Sequence, residues 1–170
     1  MKRNVFLTLG LLPVFCLMML LSAALTQESV KWYGFDDGIK KAREQKKPVL
    51  IDFYADWCGW CKVMDKSTFS HPDVMKKLRR DFIAVRIDVE RGGPIHFKDR
   101  TFSPKQFAGA MGISGLPTVV FMDKNGELIT RIPGNIKPDV FLPLLGYIRQ
   151  ECYRSSVSFQ DYMKGKANCK

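Results

Sequence analysis

Seven mostly apolar residues, 49–55 (VLIDFYA), run directly into Trp57-Cys58-Gly59-Trp60-Cys61-Lys62, and this junction constrains the chain more than anything else in it. A β-rich apolar run of that length reads as a buried central strand. Two cysteines three positions apart, immediately after it, predict a helix that opens at Cys58 and brings both sulfurs into one turn. At a helix start the unpaired N–H groups and the helix dipole favour a thiolate over a thiol. Thiolate is the attacking species in disulfide exchange, and motifs of this kind lower the thiol pKa from about 8.5 to roughly 3.5–7.5. The pair is therefore read as a redox-active dithiol/disulfide: Cys58 attacks a substrate disulfide and Cys61 resolves the mixed disulfide. Trp57 is expected to shield one side of it.

A CxxC pair also forms half of many zinc sites, but two further ligands at motif-like spacing are missing. Of the two histidines, His71 is read as a helix-start residue and His96 as a loop residue. No metal and no cofactor is called for. Asp52 is the second chemical feature: a carboxylate at the end of an apolar strand, six positions before Cys58. Such a group is costly unless paired or protonated. It is read as sitting behind Cys61 and taking its proton, or else as a strand residue paired with a lysine. Pro117, in Gly115-Leu116-Pro117-Thr118, marks a turn before another apolar strand.

The rest of the chain reads as alternating elements. Asp36 caps a helix over 36–45; Ser70-His71-Pro72 opens another to residue 80; 82–89 (FIAVRIDV) is a strand. Residues 90–102 read as a loop, and Ser103-Pro104 starts a short helix ending at Gly112. Residues 118–122 and 127–132 form a hairpin about Asp123-Lys124-Asn125-Gly126. A last helix spans 138–150, with a kink or a late start expected at Pro143. The polar tail, 151–170, carries Cys152 and Cys169. These are either two independent thiols or a structural disulfide closing a loop of about 18 residues, worth on the order of 3 kcal/mol in the chain-entropy model. The element order implies an α/β fold: a central mixed sheet with helices on both faces.

A chain of 170 residues suggests one domain. Lys2 and Arg3, an apolar run over 5–21 containing Cys16, and small residues Ser22, Ala23 and Ala24 have the layout of a secretory signal cut after residue 24. An uncleaved membrane anchor is the alternative, the run being near the lower limit for a span. Export suits the cysteines left after cleavage, Cys58, Cys61, Cys152 and Cys169. The net charge of +10 is spread among acidic residues with no aromatic-interleaved basic stripe, so no nucleic-acid partner is expected.

Taken together, the 49–55 strand, the Trp-Cys-Gly-Trp-Cys-Lys run and Gly115-Leu116-Pro117-Thr118 resemble the thioredoxin superfamily over about residues 32–150. The resemblance implies a thioredoxin fold over 36–150 after a linker at 25–35. It also implies a cis Leu116–Pro117 bond facing the cysteines, with Leu116 pairing with the substrate backbone and Asp52 as the buried carboxylate. Arg86 falls about where thioredoxins carry a lysine beside that carboxylate. Trp57, Gly59, Trp60, Leu116 and Pro117 are then the residues expected to meet substrate.

Within the superfamily, Tyr54-Ala55-Asp56-Trp57-Cys58, Cys61-Lys62, Thr68-Phe69-Ser70 and Pro72 are most similar to the C-terminal domains of the DsbD thiol reductases. That likeness implies a monomeric periplasmic protein that reduces substrate disulfides and draws electrons from a membrane-embedded thiol donor. The dipeptide Gly59-Trp60 departs from the pattern and leaves a disulfide oxidase or isomerase as the rival direction. A redox-inert module and a Cu(I) carrier are the remaining alternatives.

Overall fold

The computed structural model describes residues 29–165 and residue 169. The expected leader, with Cys16, lies outside them. Five strands form the central sheet in the order β1-β3-β2-β6-β7. They are β1 (Trp32–Tyr33), β2 (Val49–Tyr54), β3 (Ile83–Asp88), β6 (Thr118–Met122) and β7 (Leu128–Pro133). β1 and β2 run parallel to β3 on either side of it, whereas β6 runs antiparallel to β2 and β7 antiparallel to β6. Six α-helices accompany them: α1 (Phe35–Gln45), α2 (Gly59–Met64), α3 (Pro72–Asp81), α4 (Pro104–Ala110), α5 (Pro138–Arg149) and α6 (Phe159–Met163). This is the mixed, two-faced α/β sheet expected from the sequence.

Side-chain alternation in the strands divides the core. Val49, Ile51 and Phe53 of β2 and Ile83, Val85 and Ile87 of β3 join Phe35, Ile39 and Phe107 on one face. Leu50 and Ala84 point the other way, among Met64, Phe69, Leu78, Phe141 and Leu145. With a side-chain period of two, Asp52 and Arg86 must share this second face, the one that carries α2. On the first face α1 lies so close to β3 that a Cβ on Gly38 would stand 2.2 Å from Val85 Cγ2, so only glycine fits there.

Several local expectations need correction. The sheet takes in Trp32–Tyr33 from the segment read as a linker, because the two residues pair with Ala84 and Val85 at the free side of β3. Gly34, not Asp36, is the N-cap of α1. Asp36 instead accepts hydrogen bonds from the His96 backbone N–H and pairs with the His96 ring at 2.6 Å. His96 thus belongs to a strand: residues 90–102 hold a second small sheet, β4 (Ile95–Phe97) with β5 (Arg100–Phe102). Its turn residues Lys98 and Asp99 both have positive φ, 47° and 58°. Neither is the glycine or asparagine that normally announces such a turn, and so the hairpin was not legible.

α3 is capped by His71 without a side-chain bond, while the Ser70 hydroxyl donates to the Asp65 carbonyl at 2.6 Å. α4 begins as expected, with a capping box between Ser103 and Gln106. α5 starts at Pro138 and runs through Pro143, with no late start. Residues 151–165 pack against it: a 3-10 turn (Cys152–Arg154) and α6 fold back along α5, stacking Phe159 and Tyr162 edge-on to Tyr147. The approach is tight at Gly146, where a Cβ would meet the Tyr162 hydroxyl at 2.6 Å.

Candidate active site

β2 ends at Tyr54 and the chain turns at once into the cysteines. Cys58 is the N-cap of α2, extended at φ −74° and ψ 102°, and its Sγ accepts a hydrogen bond from the Cys61 N–H at 3.1 Å. Cys58 and Cys61 are joined as a disulfide, Cα to Cα 5.3 Å. Both cysteines are buried, yet Trp57 and Trp60 beside them are 65% and 64% exposed. Trp57 therefore stands out into solvent at the rim of the pair.

The Leu116–Pro117 bond is cis. Phe53 pairs with Thr118 across β2 and β6. The residue before Thr118 therefore lies at the end of the sheet where β2 delivers the chain to Cys58. The turn is held by the Thr118 hydroxyl, which donates to the Gly115 carbonyl at 2.7 Å, and by the Gly134 N–H, which donates to the Pro117 carbonyl at 2.8 Å. Cysteines and cis-proline come to one end of the sheet from opposite directions along neighbouring strands.

Asp52 is the fourth of the six residues of β2 rather than its end, and it is buried at 2% exposure. Its partner is an arginine, not a lysine: Arg86 lies directly opposite in β3, its Nε donating to Oδ2 at 3.0 Å and its Nη2 lying 2.9 Å from the same oxygen. The second oxygen, Oδ1, has no hydrogen-bond partner. Burial pushes the carboxyl from its ordinary 3.8 up to about 6, with the Arg86 charge pulling the other way.

Arg86 is itself shared. Its Nη2 also bonds Asp65, and the guanidinium lies 4.3 Å from the Trp32 ring centre, 4.9 Å from Tyr54 and 5.8 Å from Phe69. Arg86 stands near Asp52 as the thioredoxin likeness implies, whereas Asp65 and this aromatic surround are additions of the structure. A partial signal existed: β2 and β3 carry opposite charges at their fourth positions, Asp52 and Arg86, although β3 also ends in Asp88. The local device behind Asp65 is a π-helical turn, Asp65–Phe69, that continues α2. It sets Asp65 towards Arg86 and tucks Thr68 and Phe69 inward, the buried Thr68 hydroxyl donating to the Ile136 carbonyl at 2.7 Å. Such turns gather at functional sites, and no residue pattern in the sequence announces this one.

Cys152 and Cys169 also form a disulfide, Cα to Cα 4.9 Å, with Cys152 wholly buried. Among the described residues no cluster of three or more His, Cys, Asp or Glu side chains could hold a metal ion, and no helix is long and apolar enough to cross a membrane. A cleft of about 800 Å³ opens between α1, the β4–β5 turn and the β6–β7 turn, lined by Lys40, Arg43, His96 and Lys98. It sits at the opposite end of β2 from the cysteines, since the β6–β7 turn follows Met122, the partner of Val49. Exchange with a protein disulfide needs an accessible surface, which the cysteine end provides.

Comparison with known proteins agrees with this geometry. The Thiol:disulfide interchange protein DsbD of Vibrio vulnificus is 35% identical over 103 residues, covering 59% of this chain and 16% of that protein. The protein of the same name from Haemophilus ducreyi is 36% identical over 103 residues, with the same coverage. The chain thus spans only a small part of the relatives it matches. Among solved structures, a thioredoxin-fold protein from Helicobacter pylori superposes with a TM-score of 0.65 at 21% identity, covering 74% of this chain and 88% of that one. A thioredoxin from Thermus thermophilus gives 0.60 at 24% identity, covering 71% and 87%. The family model for a thioredoxin-like domain matches residues 35–149. The Cys58–Cys61 disulfide stands within the matched region, and the chain belongs to the thioredoxin-like domain family.

Proposed function

We propose that this protein is an exported oxidoreductase that reduces disulfides in substrate proteins. The observation that carries the reading is the Cys58–Cys61 pair at a helix start, with the Cys61 N–H directed at Cys58 Sγ. That N–H favours negative charge on Cys58 sulfur in the reduced form, making it the nucleophile.

In the first step the Cys58 thiolate attacks a substrate disulfide. A Cys58–substrate S–S bond forms, the substrate S–S bond breaks, and one substrate thiolate leaves and takes up a proton. In the second step Cys61 gives up its proton and its thiolate attacks Cys58 Sγ, releasing the second substrate thiol. The substrate gains two electrons and two protons, and the protein dithiol becomes the disulfide. Asp52 is assigned as the acceptor of the Cys61 proton. Its carboxyl has been pushed to about 6, and its Oδ1 is free of other partners. Resolution should therefore slow as pH falls through about 6, where Asp52 becomes protonated, and Asp52→Asn should flatten that dependence.

Leu116 and Pro117 are assigned to the docking of the substrate strand, with Trp57, Gly59 and Trp60 along its other border. The dithiol must be regenerated by two electrons from a second thiol carrier. The interchange proteins similar to this chain support such a relay, and a membrane-embedded donor fits an exported site. Export itself rests on Lys2, Arg3 and the apolar run that follows. A monomer is the expected state.

The decisive experiment is insulin reduction by the mature chain alongside Cys58→Ser and Cys61→Ser. Equal activity in all three would sink the reading. Direction is tested by the equilibrium potential against glutathione: a value near −270 mV marks a reductase, and one near −120 mV assigns the protein to disulfide formation. The oxidase reading is kept open by Gly59-Trp60 alone.

A further inference from the structure

We propose that the outward face of α2 and the turn after it, formed by Trp60, Val63, Lys62 and Lys66, is a selectivity strip. It favours cysteine-bearing substrate segments that present an apolar side chain close to a carboxylate. The inference rests on the reading of Cys58–Cys61 as an exchange centre and names the substrates that centre prefers.

Six large apolar residues are exposed among the described residues, and three of them, Trp57, Trp60 and Val63, lie within six positions of one another around the disulfide. Trp60 and Val63 are three apart on α2, so they lie on one side of the helix. Cys61 and Met64, along the edge of the helix that turns into the fold, are buried. Clustered aromatic and aliphatic groups left in water beside a reactive pair mark an interaction surface rather than a packing residue. The two tryptophans lie one on each side of Cys58, so Trp60 and Val63 extend the apolar rim along the helix.

Charge also stands on the solvent-exposed side of this helix and the turn after it. Between Trp57 and Pro72 the ionisable residues other than cysteine and histidine are Lys62, Asp65 and Lys66. Lys62 and Lys66 are exposed, and neither enters any of the ion pairs found among the described residues. The single acid, Asp65, is engaged by Arg86, which also holds Asp52. The π-helical turn therefore withdraws the one carboxylate between Trp57 and Pro72. What remains is an apolar band with two uncommitted ammonium groups four residues apart. Its complement is an apolar side chain with an adjacent carboxylate, on a segment whose cysteine reaches Cys58.

The test uses the full mature chain, reduced, and three disulfide probes followed by stopped-flow fluorescence. Two are symmetric disulfides of short peptides with a leucine beside the cysteine, flanked by glutamates in one and lysines in the other. The third, 2-hydroxyethyl disulfide, has no flanks. Each peptide rate constant is divided by that for the small disulfide. We expect the glutamate peptide to exceed the lysine peptide about five-fold or more at low ionic strength, the order expected of a few exposed charge contacts, and the preference to collapse in high salt. The double variant Lys62→Glu/Lys66→Glu should reverse the order. Val63→Ser should lower both peptide ratios while leaving their order intact. Equal ratios in the parent chain, or an order unmoved by charge reversal, would overturn the strip while leaving the exchange reading in place. Failure of the small disulfide to react at all would instead strike the exchange reading itself. A self-associating chain whose dimer dissociates on Lys62→Glu/Lys66→Glu would give the face to a second copy, and the proposal would fall.

Discussion

Among the described residues there are two disulfides, and they differ in loop length, in local electrostatics and in what flanks them. Cys58–Cys61 closes three positions at the start of a helix, with an N–H on one sulfur and exposed indoles on either side of Cys58. Cys152–Cys169 closes seventeen positions, with Cys152 sealed beneath the fold. The Tyr147 hydroxyl nearby donates to the Val157 carbonyl at 2.9 Å and Gln150 to the Tyr162 hydroxyl at 2.7 Å, so the strap is fastened to α5 apart from the sulfur bridge as well. We propose that the same covalent bond is an exchange centre in one place and a staple in the other. The helix-start N–H on Cys58 sulfur favours the first role; loop length favours the second.

The sharpest way to break that contrast is to remove each bridge in turn. Cys58→Ser should reduce insulin-reducing activity at least a thousand-fold, because no thiolate remains at the helix start. The double variant Cys152→Ser/Cys169→Ser should keep its turnover and lose on the order of 3 kcal/mol of stability in denaturant titration. Loss of turnover there would make the second bridge part of the reaction.

Asp52 offers a comparison of sign. Its pKa is higher in the folded protein than the ordinary 3.8, so the fold binds its proton more tightly than the unfolded chain does. Its contribution to stability is full below about pH 4 and is lost as pH rises through about 6. Asp52→Asn should therefore stabilise the protein at pH 8 by on the order of 3 kcal/mol, and the gain should vanish towards pH 4. Arg86→Met, measured in the same titrations, should raise the Asp52 pKa further, since it removes the charge that opposes burial. The smallest effect is expected at the strap. Gly146→Val, which must push the Tyr162 hydroxyl aside, should cost about 1–3 kcal/mol and leave the cysteine end untouched.

What was legible in the chain follows from how far each signal reaches. The apolar runs of β2, β3 and β6, the proline starts of α3 and α4 and the Cys-x-x-Cys spacing are local, and their elements lie within a residue or two of expectation. The β4–β5 hairpin was hidden because its turn uses Lys98 and Asp99 in left-handed conformations that usually advertise glycine or asparagine. β1 was hidden because two residues carry no periodicity; it exists only through its pairing with β3. Asp36 looked like a cap because caps are read from sequence neighbours, whereas its partner, His96, is sixty positions away.

The cysteine pair is where the two kinds of information meet. By itself the sequence determined that Cys58 and Cys61 share a helix start after a buried strand, because three-residue spacing and strand length are properties of a short stretch of chain. It also determined that a carboxylate would be stranded in that sheet. The likeness to thioredoxins placed Arg86 near it, but only the tertiary structure decided the full answer: β3 laid in register alongside β2 bonds Arg86 to Asp52, and the π-helical turn brings Asp65 to the same guanidinium. Parallel strand register and the winding of a helix are settled by packing across the whole domain, so the meeting of Asp65 with Arg86 through the π-helical turn has no spacing for a sequence to display.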